Sequence, residues 1–312
     1  MHHHLSFLAP AVQHESSFSL HMRLAEFNKE CLAPLAHAPK WEEKVLKQAS
    51  MGLIECHFVE EERADIAEHA RSIPQAPDAF LAWFEALAQN GPGQGHPLFP
   101  WLAEAATLSE MKWFLTQEVA GEAGFDDLVA LTQVKLPPRA KLELARNYWD
   151  EMGQGHAEAT HGGMLVTLAR ELGLPADGVE PVWESLALSN LMLALAKHRH
   201  YTYQSIGALG IIELTAPGRA ALVNAGLKRL GVSGEARRYF ALHATLDTRH
   251  SAAWNSEVIR PLIAHEPRLA IPIAEGALMR LSAGARTFER YVRELSSRTA
   301  PEGVRQSSRS EA

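Results

Sequence analysis

Three side chains of the types that bind transition metals stand close together in the stretch HATLDTRH. His243, Asp247 and His250 are separated by four and three residues. At about 100° of rotation per helical residue, Asp247 lies about 40° and His250 about 20° from His243, so all three share one helix face. The neighbours Leu246 and Trp254 indicate that this face lies near a core, where unpaired charge is costly. Two inward imidazoles and a carboxylate suit a divalent transition metal.

A second pattern, Glu158-x-x-His161, has the spacing with which helix bundles bind paired metal ions. There the Glu reaches between two metals while the His binds one of them. Glu151 precedes Glu158 by seven residues, about two helical turns, and would share that face. Taken alone, such a pattern more often belongs to a solvent-exposed helix face. Its value as evidence for a metal site comes from its occurrence together with the His243 segment.

Two further acids complete the predicted set. Glu213 is the acid in the apolar, small-residue stretch SIGALGIIEL, whose glycines would let a neighbouring helix approach closely. Glu118 ends the stretch WFLTQE, which begins with two aromatic residues, and Glu122, one turn later, is an alternative to it. A solvated surface position remains the competing interpretation of Glu118.

A charge count supports grouping these residues around two Fe(II) ions. Four carboxylates would neutralise the two ions, while the histidines bind in their neutral form. A neutral buried site avoids a large desolvation cost. The predicted metal ligands are Glu118, Glu158, His161, Glu213, His243, Asp247 and His250. Glu151 would add a fifth negative charge, so we predict that it is a conditional or outer-sphere ligand with a catalytic role.

The elements that must position these residues are predicted to be helices, since apolar residues recur at spacings of three and four and strand-like alternation is almost absent. The predicted fold is all-α, a helical bundle. The predicted helical segments are 20–70 with breaks at Pro34 and Pro39, 79–89, 100–123, 125–133, 138–171, 179–197, 201–230 with a break at Pro217, 234–264 and 267–297.

We predict an N-terminal helical extension over residues 1–98, a main bundle over 99–299 and a disordered tail over 300–312. The segment His2–His4 is set aside as an incidental run or a tag remnant. Interior glycines, each costing about 1 kcal/mol relative to Ala, weaken the helix that carries Glu158 and His161. We therefore hypothesise that these two residues dock when iron binds.

The composition argues against several classes of partner and favours one compartment. The net charge of −7 and the absence of a basic stripe argue against nucleic-acid or anionic-membrane partners. Two cysteines, Cys31 and Cys56, without a Cys-x-x-Cys motif, favour a reducing cytoplasm. Neither a signal-peptide layout nor a nucleotide-binding glycine motif is present, so a small-molecule substrate is expected.

The combined motifs resemble those of the haem-oxygenase-like di-iron oxidases and oxygenases, over roughly residues 113–254. The resemblance rests on their order: an early Glu, Glu158-x-x-His161 preceded by Glu151, the single Glu213, then His243-x-x-x-Asp247-x-x-His250. It implies a haem-oxygenase-like bundle with extra N-terminal helices, which are expected to pack on the bundle or to form a homodimer.

The resemblance also implies a function: two Fe ions that capture O2 as a peroxo species and oxidise a small molecule by N-oxygenation, oxidative C–C cleavage or hydroxylation. An external electron donor is expected wherever the substrate does not supply the electrons. Two alternatives stay open, a metal-free enzyme resembling thiaminases or quinone-cofactor-biosynthesis enzymes, and a non-catalytic helical binding protein. Haem oxygenase activity is disfavoured because the proximal His of that family is not evident.

Overall fold

The computed structural model describes residues 15–34, 40–175 and 180–299. Within these ranges the chain is helical and contains no strand, which confirms the predicted all-α class. The predicted tail at 300–312 and the His2–His4 run lie outside the described residues. The helices are α1 (Ser17–Leu32), α2 (Trp41–Ala70), α3 (Pro77–Asn90), α4 (Leu98–Glu104), α5 (Leu108–Ala120), α6 (Phe125–Thr132), α7 (Pro138–Glu151), α8 (His161–Leu172), α9 (Trp183–Lys197), α10 (Thr202–Arg229), α11 (Arg238–Ala253), α12 (Arg260–His265) and α13 (Ala270–Thr299).

Helix α10 is the centre of the bundle, packed against α11 and α13 along its length. Glycines make the closest approaches possible. A Cβ on Gly207 would lie 1.7 Å from the carbonyl oxygen of Ile273, and one on Gly276 would lie 1.8 Å from that of Gln204. The expectation that glycines let a neighbouring helix approach is therefore confirmed for α10.

The predicted break at Pro217 is wrong, because α10 runs without interruption from Thr202 to Arg229. A proline removes one backbone hydrogen bond and costs about 3 kcal/mol in a helix interior. Here the packing of α10 against α11 and α13 keeps the helix continuous, and the lost bond is the one that the carbonyl of Glu213 would otherwise accept.

Two predicted long helices are each divided in the structure. The segment 100–123 is split between α4 and α5, because Thr107 and Glu110 form a capping box that starts a new helix. The segment 138–171 is split between α7 and α8 by two short 3₁₀ turns, Gly153–Gly155 and Ala157–Ala159. Positive φ angles at Gly153 and Gln154 turn the chain out of the α-helical path.

A π-helical turn, Trp254–Ile259, joins α11 to α12. Such turns are rare and are frequent near functional sites. The Trp254 ring lies against Gly210 and donates a hydrogen bond to the Ile206 carbonyl, 3.2 Å away. This contact fixes the end of α11 against α10, which are the two helices that carry most of the predicted ligands.

The N-terminal helices pack on the bundle through polar as well as apolar contacts. The fully buried carboxylate of Glu55, on α2, receives hydrogen bonds from Lys197 at 2.9 Å and from His198 at 2.5 Å. Asn28, on α1, donates to Asn190 on α9 at 3.2 Å. These contacts tie α1 and α2 to α9.

One helical stretch, Arg199–Arg229, is long and apolar enough by length and composition to cross a membrane. It coincides with α10, whose place at the centre of the bundle accounts for its apolar composition.

Candidate metal centre

Four helices bring buried acids and histidines together at one place. Glu151 ends α7 and His161 begins α8, while α10 supplies Glu213. Helix α11 carries the remaining three, His243, Asp247 and His250, and all six side chains are buried. Donor atoms of five of these residues form two groups, each within 4.8 Å, namely Glu151 with His161 and His243, and Glu151 with Glu213 and His250. Asp247 is in neither group.

Glu151 belongs to both groups and therefore lies between them. Its Oε2 atom is 2.7 Å from Nδ1 of His161 and 3.8 Å from Nε2 of His243. Nδ1 of His243 donates to the backbone carbonyl of Tyr239 at 2.7 Å, which leaves Nε2 facing the cluster. A backbone partner of this kind fixes the orientation of a metal-binding imidazole.

The second group is held in a similar way by polar neighbours. Nε2 of His250 donates to Asp150 at 3.1 Å, so Nδ1 faces Glu213, whose Oε2 is 3.5 Å away. Asn147 donates to the other carboxylate oxygen of Glu213 at 2.6 Å. The Asp150–His250 pair has the carboxylate–histidine arrangement common around bound metals.

Two buried atoms of this cluster have no hydrogen-bond partner in the described parts of the chain. They are Oδ1 of Asp247 and Nδ1 of His250. Burying such atoms unpaired is costly, and they lie beside other metal-ligand types. Burial and the nearby Glu213 carboxylate raise the pKa of Asp247 to about 8. A bound cation would satisfy both atoms and remove the repulsion between the acids.

Without a cation, the histidines of the cluster act as counter-ions to the acids. Burial alone would lower the pKa of His161, but the carboxylates of Glu122 and Glu151 raise it to about 10. At His250, burial would again lower the pKa, but the carboxylates of Glu213 and Asp150 raise it to about 9. Metal binding must therefore displace protons from these imidazoles at neutral pH.

Glu158 is not brought to this cluster. Its side chain is 76% exposed on the 3₁₀ turn Ala157–Ala159, and its nearest charged partner is His156, 4.0 Å away. The helix that should have placed Glu158 beside His161 is interrupted there. Glu151, predicted as a conditional ligand, stands at the centre instead.

Glu118 and Glu122, the two candidates on and just after α5, differ in their partners. The Glu118 carboxylate accepts a hydrogen bond from Tyr291 at 3.0 Å and is in neither donor group. Glu122 has an oxygen 3.7 Å from Nε2 of His161, although it too is outside both groups. Of the two alternatives that the sequence left open, Glu122 is the one beside a donor histidine.

Sequence reasoning did not identify Asn147, Asp150 and Tyr239 as parts of the site. Asn147 lies on α7 four residues before Glu151, so its helical spacing was a usable signal. Asp150 lies one residue before Glu151, about 100° away around the helix, and its spacing gave no such signal. The Tyr239 hydroxyl is 3.0 Å from Nε2 of His161, and four residues separate Tyr239 from His243. No motif marked this tyrosine.

A cavity of about 190 Å³ opens on the cluster. Its lining combines the acids and histidines with apolar side chains such as Phe114, Leu188, Met192, Ile212 and Phe240. A largely apolar pocket with a few convergent polar groups is typical of a small-molecule site.

Iron fits these donors. Carboxylates and imidazoles suit divalent iron, and several of them are held by neighbouring hydrogen bonds. The two groups share one carboxylate, as expected where one acid lies between two ions. Asp247, Glu122, Glu151 and Glu213 supply four negative charges, the number that two divalent ions require.

Comparison with known proteins also points to iron. A family model described as "iron-containing redox enzyme" matches residues 112–285. Two crystal structures of a CADD-like protein of unknown function from Nostoc punctiforme PCC 73102 are similar in fold, each with a TM-score of 0.50 and 17% identity. They cover 78% and 80% of this chain, and 99% of their own. A search of curated proteins found no match.

Proposed function

This chain belongs to the family of iron-containing redox enzymes, with its all-α, haem-oxygenase-like fold, and we propose that it is a di-iron oxidase or oxygenase acting on a small molecule. The proposed ligands are Glu122, Glu151, His161, Glu213, His243, Asp247 and His250. The observation that carries the proposal is the position of Glu151 between two buried donor groups.

Two bound irons would supply the activation of O2, and the protein's own side chains would supply orientation and charge. Asp150 holds the His250 ring through Nε2, and the Tyr239 carbonyl holds the His243 ring through Nδ1. Asn147 fixes one oxygen of Glu213 and leaves the other toward His250. These contacts make the donors rigid before a metal arrives, which lowers the cost of ordering them.

The apolar lining of the cavity would exclude water from a bound substrate beside the metals. Reactions that fit such a site are N-oxygenation, oxidative C–C cleavage and hydroxylation. Where the substrate does not provide the electrons, an external donor would have to, and a cytoplasmic setting with its reductases fits that need.

Anaerobic titration with Fe(II), followed by metal analysis, tests the proposal directly. We expect about two irons per chain. Rapid mixing of the loaded protein with O2 should then give a transient visible absorption together with O2 consumption. His250→Ala and Glu213→Ala should each lose iron and the transient, because each removes a donor of one group.

A matched control is His156→Ala, which removes an exposed histidine outside the cluster and should keep full iron binding. No iron uptake by the wild-type protein would contradict the proposal. The function would then be the metal-free alternative, in which the buried Glu151–His161 pair carries out acid/base chemistry on the substrate.

A further inference from the structure

Two arginines line the same cavity without belonging to either donor group. Arg219 comes from α10 and Arg280 from α13, and both residues are part of the cavity lining. The Arg219 group lies over the rings of Phe99 and Phe288, 5.9 and 5.6 Å from their centroids, and donates to Thr215 at 3.2 Å. Arg219 is therefore held in place before any ligand binds.

These cations lack full compensation. Nε of Arg280 is buried and has no hydrogen-bond partner within the described ranges. Burial and the charge of Arg280 lower the pKa of Arg219 to about 9, even though Glu118 opposes the shift. Burial also lowers the pKa of Arg280. Because both arginines line one cavity and Nε of Arg280 is unpaired within the described ranges, an anion bound in that cavity would compensate their positive charge.

The acids nearby do not match this charge. Glu118 is the acid of the cavity lining that is not a proposed metal ligand, and one of its oxygens already accepts a hydrogen bond from Tyr291. The cluster acids, including Glu122, would be neutralised by two divalent irons. Even with Glu118 ionised, two arginines against one carboxylate leave one positive charge unmatched in the cavity of the loaded protein.

We propose that Arg219 and Arg280 bind the carboxylate group of a small organic acid, which is the substrate of this enzyme. A monoanion matches the single unbalanced charge, and the planar guanidinium fork matches a carboxylate in geometry. The apolar walls formed by Phe99, Phe114 and Phe288 accommodate the rest of the acid. A cavity of about 190 Å³ limits that acid to a small one.

The inference rests on the proposed function where it calls the ligand a substrate, whereas binding of the acid itself does not require iron. The test therefore uses the full chain in two forms, metal-free and loaded anaerobically with Fe(II), with iron content measured in each sample. Benzoate and hexanoate are titrated by ligand-observed NMR against benzamide and hexanamide, their neutral isosteres. Inorganic phosphate is the multiply charged probe.

We expect the acids to bind at least about 10-fold more tightly than the amides, since a hydrogen bond to a charged partner contributes that much or more. Affinity should increase after loading, because iron then neutralises the acids that compete for the arginines. Arg280→Gln should weaken acid binding by about 10-fold or more. Arg286→Gln is the matched control, on the same helix but paired with Glu62 outside the cavity, and should bind normally.

Equal binding of acids and amides, or unchanged acid binding in Arg280→Gln, would overturn the proposal. Tighter binding of phosphate than of either acid would overturn the assigned class. If Arg280→Gln does not fold, the comparison of acid with amide in the wild-type protein still decides. Iron binding without a preference for acids refutes this inference and leaves the di-iron function intact. A preference for acids without iron binding refutes the di-iron function and leaves the acid-binding site intact.

Discussion

Glu151 shows how far residue spacing reaches and where it ends. The sequence placed it on the face of Glu158 and His161, but charge counting with Glu118 and Glu158 made it a surplus fifth acid. The structure gives the same count of four with Glu122 and Glu151 instead. A charge count constrains the number of acids at a site and does not identify them.

The His243, Asp247 and His250 face was accessible from the sequence because one uninterrupted helix holds all three. Asp150 was not, because its role depends on α7 lying beside α11, which no local pattern encodes. The same holds for Arg219 and Arg280, which line one cavity from two helices that are far apart in the sequence. Local spacing predicts a face, whereas pairing across helices follows from the packing.

Glu151→Gln and Glu158→Gln should differ in their binding of iron. Glu151 lies between both donor groups, so its replacement should abolish binding of the iron pair. Changes to second-sphere partners alone lower metal affinity about 10–100-fold, and loss of a shared ligand should exceed that. Glu158 is exposed and away from the cluster, so Glu158→Gln should bind iron within a few-fold of wild type. Anaerobic Fe(II) titration with metal analysis measures both.

Loss of iron in Glu158→Gln to the same degree as in Glu151→Gln would show that the chain rearranges on loading to bring Glu158 in. The ligand set proposed here would then be wrong in that position, and the ligand predicted from the sequence would be correct.

The interruption between α7 and α8 is the main difference between the predicted and the observed helices. Periodicity predicted one helix over 138–171, yet the glycines it contains let the backbone turn at positive φ. A Cβ on Gly153 would lie 2.5 Å from the backbone of Ala159, so this turn depends on glycine. The weakness of the helix was predicted correctly, but not its complete interruption.

Hydrogen exchange tests whether this segment responds to iron, as hypothesised from its glycines. Glu151 and His161 flank the interruption, so binding a metal to both should restrain the chain between them. We expect amides across 152–163 to exchange more slowly by at least about 10-fold in the loaded protein. Amides of α9 serve as the internal reference and should change little. Identical exchange across 152–163 with and without iron would refute the coupling.

The crossing of α10 with α13 depends on glycine at Gly207. Gly207→Ala would force a methyl group against the Ile273 carbonyl, since the added Cβ would lie 1.7 Å from its oxygen. The helices must separate, and overpacking of this kind costs about 1–3 kcal/mol or more. Urea unfolding monitored by circular dichroism should therefore show a lower free energy of unfolding.

Gly218→Ala is the matched control, on the same helix but with no atom within 4 Å of the added Cβ. Because Ala is favoured over Gly in a helix interior by about 1 kcal/mol, this variant should be as stable as wild type or more stable. Equal stability of the two variants would mean that the close crossing does not limit the packing.

The helical class and the order of most helical segments followed from apolar periodicity, because the core-facing residues of each helix repeat at helical spacing. How the N-terminal helices attach did not follow. The predicted boundary at residue 98 separates the N-terminal helices from the bundle as an extension. In the structure, Glu55 on α2 is buried against Lys197 and His198 at the end of α9.

Glu55 predicts how this attachment depends on pH. Burial alone would raise its pKa, but His198 and Lys197 lower the pKa of the folded protein below the ordinary value of 4.5. A lowered carboxyl pKa contributes stability above the unfolded value, and this contribution is lost as pH falls through the folded value. The free energy of unfolding of the metal-free protein should therefore decrease as pH falls below about 4.5.

Glu55→Gln should remove that contribution at neutral pH. It leaves Lys197 partly buried without its partner acid, which costs about 3–5 kcal/mol for a buried pair. Because the lost interaction is also absent from the wild-type protein in acid, the two unfolding free energies should converge as pH falls. Glu61→Gln, on the same helix but exposed beside His57, should follow the wild-type curve. Parallel curves for Glu55→Gln and wild type across this range would show that the N-terminal helices are held by apolar packing and not by this ion pair.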